Sequence, residues 1–137
     1  MSKLPKITIS ELDLVRLEAL LDKMPKATNP NIEALEEELA RASVKTPEKM
    51  PKNVVTMNSE VKFKVSDSQE SFVLKLVYPK DLDDSGKTIS ILAPVGSAML
   101  GLKEGDTIEW PKPGGGIMKV TVDEVVSQPE REGIYHI

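Results

Sequence analysis

The sequence predicts an α+β protein, with a short antiparallel helical hairpin in front of a mostly antiparallel sheet that carries one short helix. In the first third of the chain, apolar residues recur every three or four positions, as on one face of a helix. From Val61 onward, apolar and polar residues alternate, as in half-buried strands. A short apolar stretch between two strand-like segments begins at Pro94 and stops at Gly101, as short helices do. We therefore divide the chain into a helical hairpin, residues 1–45, and a sheet domain, residues 46–137.

The first helix is predicted to begin after Ser10, because Ser10 followed by Asp13 resembles a helix N-cap with an acidic third residue. One apolar stripe then runs along it at 3-4-3 spacing: Leu14, Leu17, Leu21 and Met24. Two prolines, Pro25 and Pro30, interrupt the pattern, since proline is unfavourable inside a helix.

The second helix is predicted to begin at Pro30, with Asn29 as its cap. Its apolar stripe has the same 3-4-3 spacing: Ile32, Leu35, Leu39 and Ala42. Two matched stripes joined by a short turn predict an antiparallel hairpin with a coiled-coil-like seam. Each arm of about 14 residues would be roughly 20 Å long.

The sheet domain follows a proline-containing connector, residues 43–60, in which Thr46-Pro47 predicts one helical turn. A glycine-rich loop, residues 111–116, separates the last two long strands, and the tail 133–137 is a candidate edge strand. Four or five strands and one short helix are typical of a small α+β domain. The strands are predicted at Val61–Val65, Phe72–Tyr78, Thr88–Leu92, Asp106–Trp110 and Ile117–Val126.

Composition argues against several functional classes. The net charge is −4, and both residues 1–45 and the remainder are mildly acidic, so direct nucleic-acid binding is not expected. The chain has no cysteine, which excludes disulfides and thiolate metal sites. It contains no apolar run of about 18 residues and no secretory signal pattern, so we expect a cytoplasmic protein without a membrane span.

None of the reactive residue types forms a convincing catalytic motif. The glycines at 114–116 precede an alternating strand rather than a helix, unlike a phosphate-binding loop. Glu36, Glu37 and Glu38 point in successive directions on a helix, so we expect a solvated face rather than a metal site. His136 is the single histidine and lies near the terminus. Ser97 lacks a nucleophile elbow, and its small size suits close packing. We therefore expect no enzymatic activity, cofactor or metal.

Residues 88–125, TISILAPVGSAMLGLKEGDTIEWPKPGGGIMKVTVDEV, resemble the C-terminal domain of the bacterial Gre transcript-cleavage factors. That family has a strand, a short Ser-Pro-φ-Gly-x-Ala-Leu-φ-Gly helix, a Gly-Asp strand and a Pro-Gly-Gly hairpin. The resemblance extends over nearly the whole chain and is most specific from Pro47 to Val126. It implies an FKBP-like α+β C-terminal domain behind a helical hairpin.

The resemblance also implies a partner, bacterial RNA polymerase, bound through its largest subunit at the rim of the secondary channel. In Gre factors the loop and short helix dock there, and the hairpin projects into the channel. Before the proline, the family commonly has Asp-Ser or Asn-Ser, where this chain has Leu92-Ala93. The matching docking positions are Leu92, Ala93, Pro94, Val95, Ser97 and Met99.

The hairpin tip departs from the Gre pattern. Gre cleavage activity requires an acidic Asp-x-x-Glu-Asn tip that holds Mg²⁺, whereas one carboxylate supplies too few oxygen ligands for a hard cation. An arm of roughly 20 Å is also shorter than the roughly 45 Å that 30 helical residues would span. The resemblance therefore implies a regulator that competes with Gre-type factors without stimulating cleavage. The tip residues here are Asp22, Lys23, Pro25, Lys26 and Asn29.

Two alternatives remain. A peptidyl-prolyl isomerase, or an FKBP-like peptide-binding module, is suggested by fold analogy alone, which is a weak basis for function. A weak dimer could form if the two leucine stripes paired between copies, but they would bury little apolar area. We expect a monomer.

Overall fold

A computed structural model describes residues 7–23, 30–65, 71–111 and 115–133 of the 137-residue chain. Its three helices are α1 (Glu11–Asp22), α2 (Pro30–Arg41) and α3 (Pro94–Met99). Single 3-10 turns cover Pro47–Lys49, Pro79–Asp81 and Glu130–Glu132. The strands are β1 (Thr8–Ser10), β2 (Ser43–Lys45), β3 (Glu60–Val65), β4 (Phe72–Val77), β5 (Thr88–Ser90), β6 (Thr107–Pro111) and β7 (Ile117–Ser127).

Five strands form the main sheet, in the order β5-β4-β3-β7-β6. All neighbours are antiparallel except β4 and β5, which run parallel. The long β7 pairs with both β3 and β6, and its side chains alternate between the buried and exposed faces. The predicted mixed α+β class with a mostly antiparallel sheet is confirmed, as is the helical turn after Thr46. The predicted tail strand lies outside the described residues.

The two N-terminal helices are present where the apolar stripes predict them, but they are flanked by strands that were not predicted. β1 lies parallel to β2, with Ile9 opposite Val44. The backbone N–H of Ser43 donates to the carbonyl of Ile7 at 3.0 Å, which closes the base of the two-helix segment. Residues 1–45 therefore contain two short strands as well as the two helices. The sequence pattern did not predict these strands because three residues are too few to show an alternation of apolar and polar side chains.

Both leucine stripes are buried in one core that the helices share with the sheet. Among its members are Leu17 and Leu21 of α1 and Leu35 and Leu39 of α2. α2 packs against α3 and β6. The described residues thus confirm that the stripes face inward, while a coiled-coil-like seam between α1 and α2 stays a prediction. No described helix is long and apolar enough to cross a membrane.

One prediction about the acidic run on α2 is wrong. Glu36 and Glu37 are exposed, as expected for a solvated face. Glu38, however, is only 4% exposed, and its carboxylate forms a two-point salt bridge of 2.5 Å with Arg41. The pairing is one turn apart on the same helix, and it compensates for burying the carboxylate.

Candidate functional site

The predicted docking segment, residues 92–99, begins in a tight turn at the end of β5. The carbonyl of Ser90 accepts a hydrogen bond from the N–H of Ala93 at 3.0 Å. The hydroxyl oxygen of Ser90 accepts a second one from the N–H of Leu92, also at 3.0 Å. The N–H of Ile91 donates to the carbonyl of Val77 at 2.9 Å, so β4 holds the start of the turn. α3 then begins at Pro94, which needs no N–H partner in the first turn of a helix.

The docking segment has an outer and an inner part. Leu92, Ala93, Pro94 and Val95 are half-buried and reach the surface. Ser97 and Met99 are 2% and 0% exposed. The Ser97 hydroxyl donates to the carbonyl of Ile91 at 2.5 Å, which agrees with its predicted role in packing. Of the six predicted positions, the four apolar residues 92–95 therefore reach the surface, while the other two lie inside.

Close packing of α3 against the sheet depends on Gly96. A Cβ atom at this position would overlap the carbonyl oxygen of Ser90 and approach a Leu76 methyl group at 3.2 Å. The small residue lets the helix lie directly on the end of β5. The position of α3 on the end of β5 consequently depends on a close backbone contact at Gly96.

Gly101 ends the short helix, as predicted, and also attaches β1 to it. Its φ of +84° lies in the left-handed region, where glycine is favoured. The N–H of Thr8 donates to the Gly101 carbonyl at 3.2 Å, and a Cβ at Gly101 would lie 2.7 Å from the Ile7 Cβ. The Gly101 N–H donates to the carbonyl of Val55 at 2.9 Å. This glycine therefore joins the docking helix to both the N-terminal segment and the connector.

A buried polar network joins α1 to the sheet domain, and sequence reasoning missed it. Asp13 is 4% exposed, and its Oδ2 accepts from the N–H of Met57 at 3.1 Å, while Tyr78 donates to Oδ1 at 3.4 Å. Nearby, the Thr56 hydroxyl donates to Oε1 of Glu130 at 2.7 Å. The predicted capping bond, from the Asp13 N–H to the Ser10 hydroxyl oxygen, is present at 3.0 Å. The capping pattern identifies the helix start but carries no signal that this carboxylate is buried.

Burial controls the ionisation of this network. It raises the pKa of Asp13 to about 6, against the opposing effect of the Met57 hydrogen bond. Burial also raises the pKa of Tyr78, and the nearby Asp13 charge adds to that increase. The pKa of Glu130 is raised by burial too, partly offset by its hydrogen bond from Thr56. The network therefore carries a carboxyl group that titrates close to neutral pH.

The structure describes only part of the predicted hairpin tip. Asp22 is the last residue of α1, and Lys23 caps it, both with exposed side chains. The other three tip positions, Pro25, Lys26 and Asn29, lie outside the described residues, as do Gly114 and His136. Within the described ranges, no three His, Cys, Asp or Glu side chains are grouped so that they could hold a metal ion.

Comparisons with known proteins match most of the chain. Residues 50–127 match the family model "Transcription elongation factor, GreA/GreB, C-term", and residues 5–44 match the model "Rnk N-terminus". The chain is 46% identical over 131 residues, 96% of each chain, to the "Regulator of nucleoside diphosphate kinase" of Escherichia coli strain K12.

Two further relatives carry the Gre name. The chain is 35% identical over 88 residues to transcription elongation factor GreA of Clostridium botulinum strain Eklund 17B, which is 64% of this chain and 55% of that one. A solved structure, "Prokaryotic transcription elongation factor GreA/GreB from Nitrosomonas europaea", superposes with a TM-score of 0.71 at 59% identity. That match covers 90% of this chain and 99% of the other. The chain therefore belongs to the GreA/GreB transcription elongation factor family, and its N-terminal region is of the Rnk type.

Proposed function

We propose that this chain is a non-enzymatic, cytoplasmic regulator of transcription that binds bacterial RNA polymerase through the apolar surface of residues 92–95. The contact would be made with the largest subunit, at the rim of the secondary channel. The observation that carries this proposal is the half-buried apolar group Leu92, Ala93, Pro94 and Val95, which reaches the surface and is held by backbone hydrogen bonds in a member of the GreA/GreB family. Apolar side chains that are fixed before binding lose little conformational entropy when a partner covers them.

The frame supports this role because both ends of the docking segment are tied down. Ser90 anchors its beginning through two hydrogen bonds, and Gly101 anchors its end through contacts with Ile7 and Val55. Ser97 and Met99 fix the inner face of α3. The absence of a polar side chain at Leu92 and Ala93 would make this contact more apolar than the usual Gre contact.

We also propose that the chain competes with Gre-type factors without stimulating transcript cleavage. α1 has 12 residues, so it extends roughly 18 Å. It is also held against the sheet domain by Asp13 at its first turn. Within residues 20–33, the acidic residues are Asp22 and Glu33. They are too few, and too far apart in sequence, to hold Mg²⁺ in the active site of the polymerase.

The chain would act as a monomer, because the leucines that could pair two copies are already buried in its own core. Leu17, Leu21, Leu35 and Leu39 are each at most 8% exposed. The prolyl-isomerase and peptide-binding alternative receives no support from the comparisons.

A competition binding assay with core RNA polymerase tests the docking surface. A labelled Gre-type factor would be displaced by the wild-type chain, and Val95→Asp would weaken displacement at least tenfold, or about 1.4 kcal/mol. Val73→Asp is the control for an added surface charge, since Val73 is an exposed valine on β4, outside the docking segment. Because Val95 also packs on the core, Val95→Asp should be compared at a temperature at which its thermal unfolding curve shows it to be fully folded. Equal loss in both variants, or no displacement by the wild-type chain, would refute the proposed surface.

A transcript-cleavage assay on stalled elongation complexes tests whether the chain competes with Gre-type factors without stimulating cleavage. Adding the chain alone should leave the rate of cleavage at its intrinsic value, and adding it with a Gre-type factor should reduce the stimulated rate. The Val95→Asp variant should not reduce it. Stimulation of cleavage by the chain alone would contradict the proposal.

A further inference from the structure

A cleft of about 660 Å³ lies between α1 and the segment that follows β4, apart from the docking segment. Its walls come from the N-terminal unit on one side and from the 3-10 turn Pro79–Asp81 on the other. This volume is within the range typical of small-molecule sites, about 300–1,000 Å³. The lining residues are Arg16, Ala19, Leu20, Lys23, Tyr78, Pro79, Lys80 and Asp81.

The apolar part of the cleft is held rigid by buried contacts. Tyr78 is 7% exposed, and its hydroxyl forms side-chain hydrogen bonds with Asp13 and with Arg16. The turn that carries Pro79 is closed by a hydrogen bond of 2.9 Å from the Asp81 N–H to the Tyr78 carbonyl. Leu20 forms the facing wall. These contacts fix the apolar wall before a ligand binds, which lowers the entropic cost of binding an apolar group.

The polar part of the cleft is cationic in an otherwise acidic protein. Among the lining residues, Arg16, Lys23 and Lys80 stand against one carboxylate, Asp81, and a second carboxylate, the buried Asp13, interacts with Arg16 beside Tyr78. The whole chain, by contrast, has a net charge of −4. Lys23 and Lys80 are exposed, so their ammonium groups can turn toward a ligand. Arg16, held by its bond to Tyr78, presents a planar guanidinium with five N–H donors in total. Three cations around one opening favour an anion of more than one charge.

We propose that this cleft binds a small organic phosphate. The phosphate group would lie among Arg16, Lys23 and Lys80, and the apolar body of the ligand would pack on Ala19, Leu20 and Pro79, over the nearly buried Tyr78. Because α1 and the Pro79–Asp81 turn belong to opposite walls, the ligand would bridge the N-terminal unit and the sheet domain. Binding would then stabilise the attachment of α1. This site does not depend on polymerase binding, so either proposal can fail without the other.

The full-length chain can be titrated with adenosine 5′-monophosphate and with phenyl phosphate while backbone amide resonances are followed by NMR. We expect at least one of them to saturate with a Kd below about 1 mM. The shifted amides should cluster at residues 16–23 and 78–81. Adenosine, phenol and inorganic phosphate, added separately, should bind at least tenfold more weakly, because each supplies only half of the required contacts.

Charge reversal provides the matched test. The double variant Lys23→Glu, Lys80→Glu should bind the phosphate ester at least tenfold more weakly, with an unchanged amide spectrum elsewhere. Lys64→Glu is the control, since Lys64 is an exposed lysine on β3 that does not line the cleft, and it should keep wild-type affinity. The proposal is overturned if neither ester saturates, if inorganic phosphate binds as tightly as the esters, or if both variants behave alike.

Discussion

The N–H of Met57 donates a hydrogen bond of 3.1 Å to Oδ2 of Asp13, which joins the first turn of α1 to the segment that precedes β3. The same carboxylate accepts from the hydroxyl of Tyr78, and the backbone N–H of Asp13 donates to the Ser10 hydroxyl oxygen. The side chain of Asp13 thus connects α1 to a loop and to Tyr78 after β4, while its backbone N–H is bound by the helix cap. This contact joins the N-terminal unit to the sheet domain in addition to the packing of α2 on α3 and β6.

At pH 4.5, where the raised pKa of about 6 keeps the Asp13 carboxyl protonated in the folded protein, replacing Asp13 by alanine should destabilise the protein by about 1–3 kcal/mol, because the buried N–H of Met57 would lose its acceptor. The change can be measured as a shift of the urea unfolding midpoint. Asp22→Ala is the control on the same helix, since Asp22 is exposed, and it should change stability by less than about 0.5 kcal/mol. Similar effects of the two substitutions would show that the buried hydrogen bond contributes little.

The stability that Asp13 contributes should fall as the pH rises from about 4 to about 6. Its pKa is about 6 in the folded protein and 3.8 when unperturbed, so in this window the folded state binds a proton that the unfolded state has released. Above this window the ionised, buried carboxylate lowers stability by an amount on the order of 3 kcal/mol. The charge of Glu130 further raises the pKa of Asp13, whereas the charge of Arg16 lowers it. Burial also raises the pKa of Glu130 itself, so its ionisation changes stability with pH in the same direction.

Asp13→Asn isolates this contribution, because an amide oxygen can still accept from Met57 but the side chain does not titrate there. Urea midpoints of the wild type and the variant should be compared at pH 4.5 and at pH 7.5. The advantage of Asp13→Asn over the wild type should be larger at pH 7.5. A difference between the two proteins that does not change with pH would contradict the raised pKa.

Gly101→Ala should destabilise the protein more than Gly105→Ala. Both glycines have a positive φ, at +84° and +90°, so both substitutions incur about 1 kcal/mol of backbone strain. At Gly105 nothing lies within 4 Å of the new Cβ, whereas at Gly101 it would meet Ile7 at 2.7 Å. The further cost at Gly101 should be about 1–3 kcal/mol. Equal unfolding midpoints for the two variants would rule out tight packing of Ile7 on Gly101.

Gly96→Ala should displace α3 and so affect both stability and polymerase binding. The new methyl group would overlap the carbonyl of Ser90, which should cost about 1–3 kcal/mol. The helix must move away from β5, which changes the positions of Pro94 and Val95. Thermal unfolding and the polymerase competition assay should report the two losses together. Wild-type stability with wild-type competition would show that α3 is not held by this contact.

Much of the local structure was predictable because its signals lie within a few residues of one another. The Ser10 cap, the helix start at Pro30 and the stop at Gly101 all appear in the structure. The alternating strands do as well, and the apolar stripes correctly predict which helical leucines are buried. The motif spanning residues 88–125 also identified the family that the comparisons confirm.

The tertiary structure alone decided which of these residues are accessible. It pairs β1 with β2, about 35 positions away in sequence, and buries Asp13 and Glu38, which the local pattern predicts only as a capping residue and a solvated one. It also turns Ser97 and Met99 inward while leaving residues 92–95 at the surface. Local periodicity records which face of an element is apolar, but the environment of each side chain depends on distant segments that pack against it.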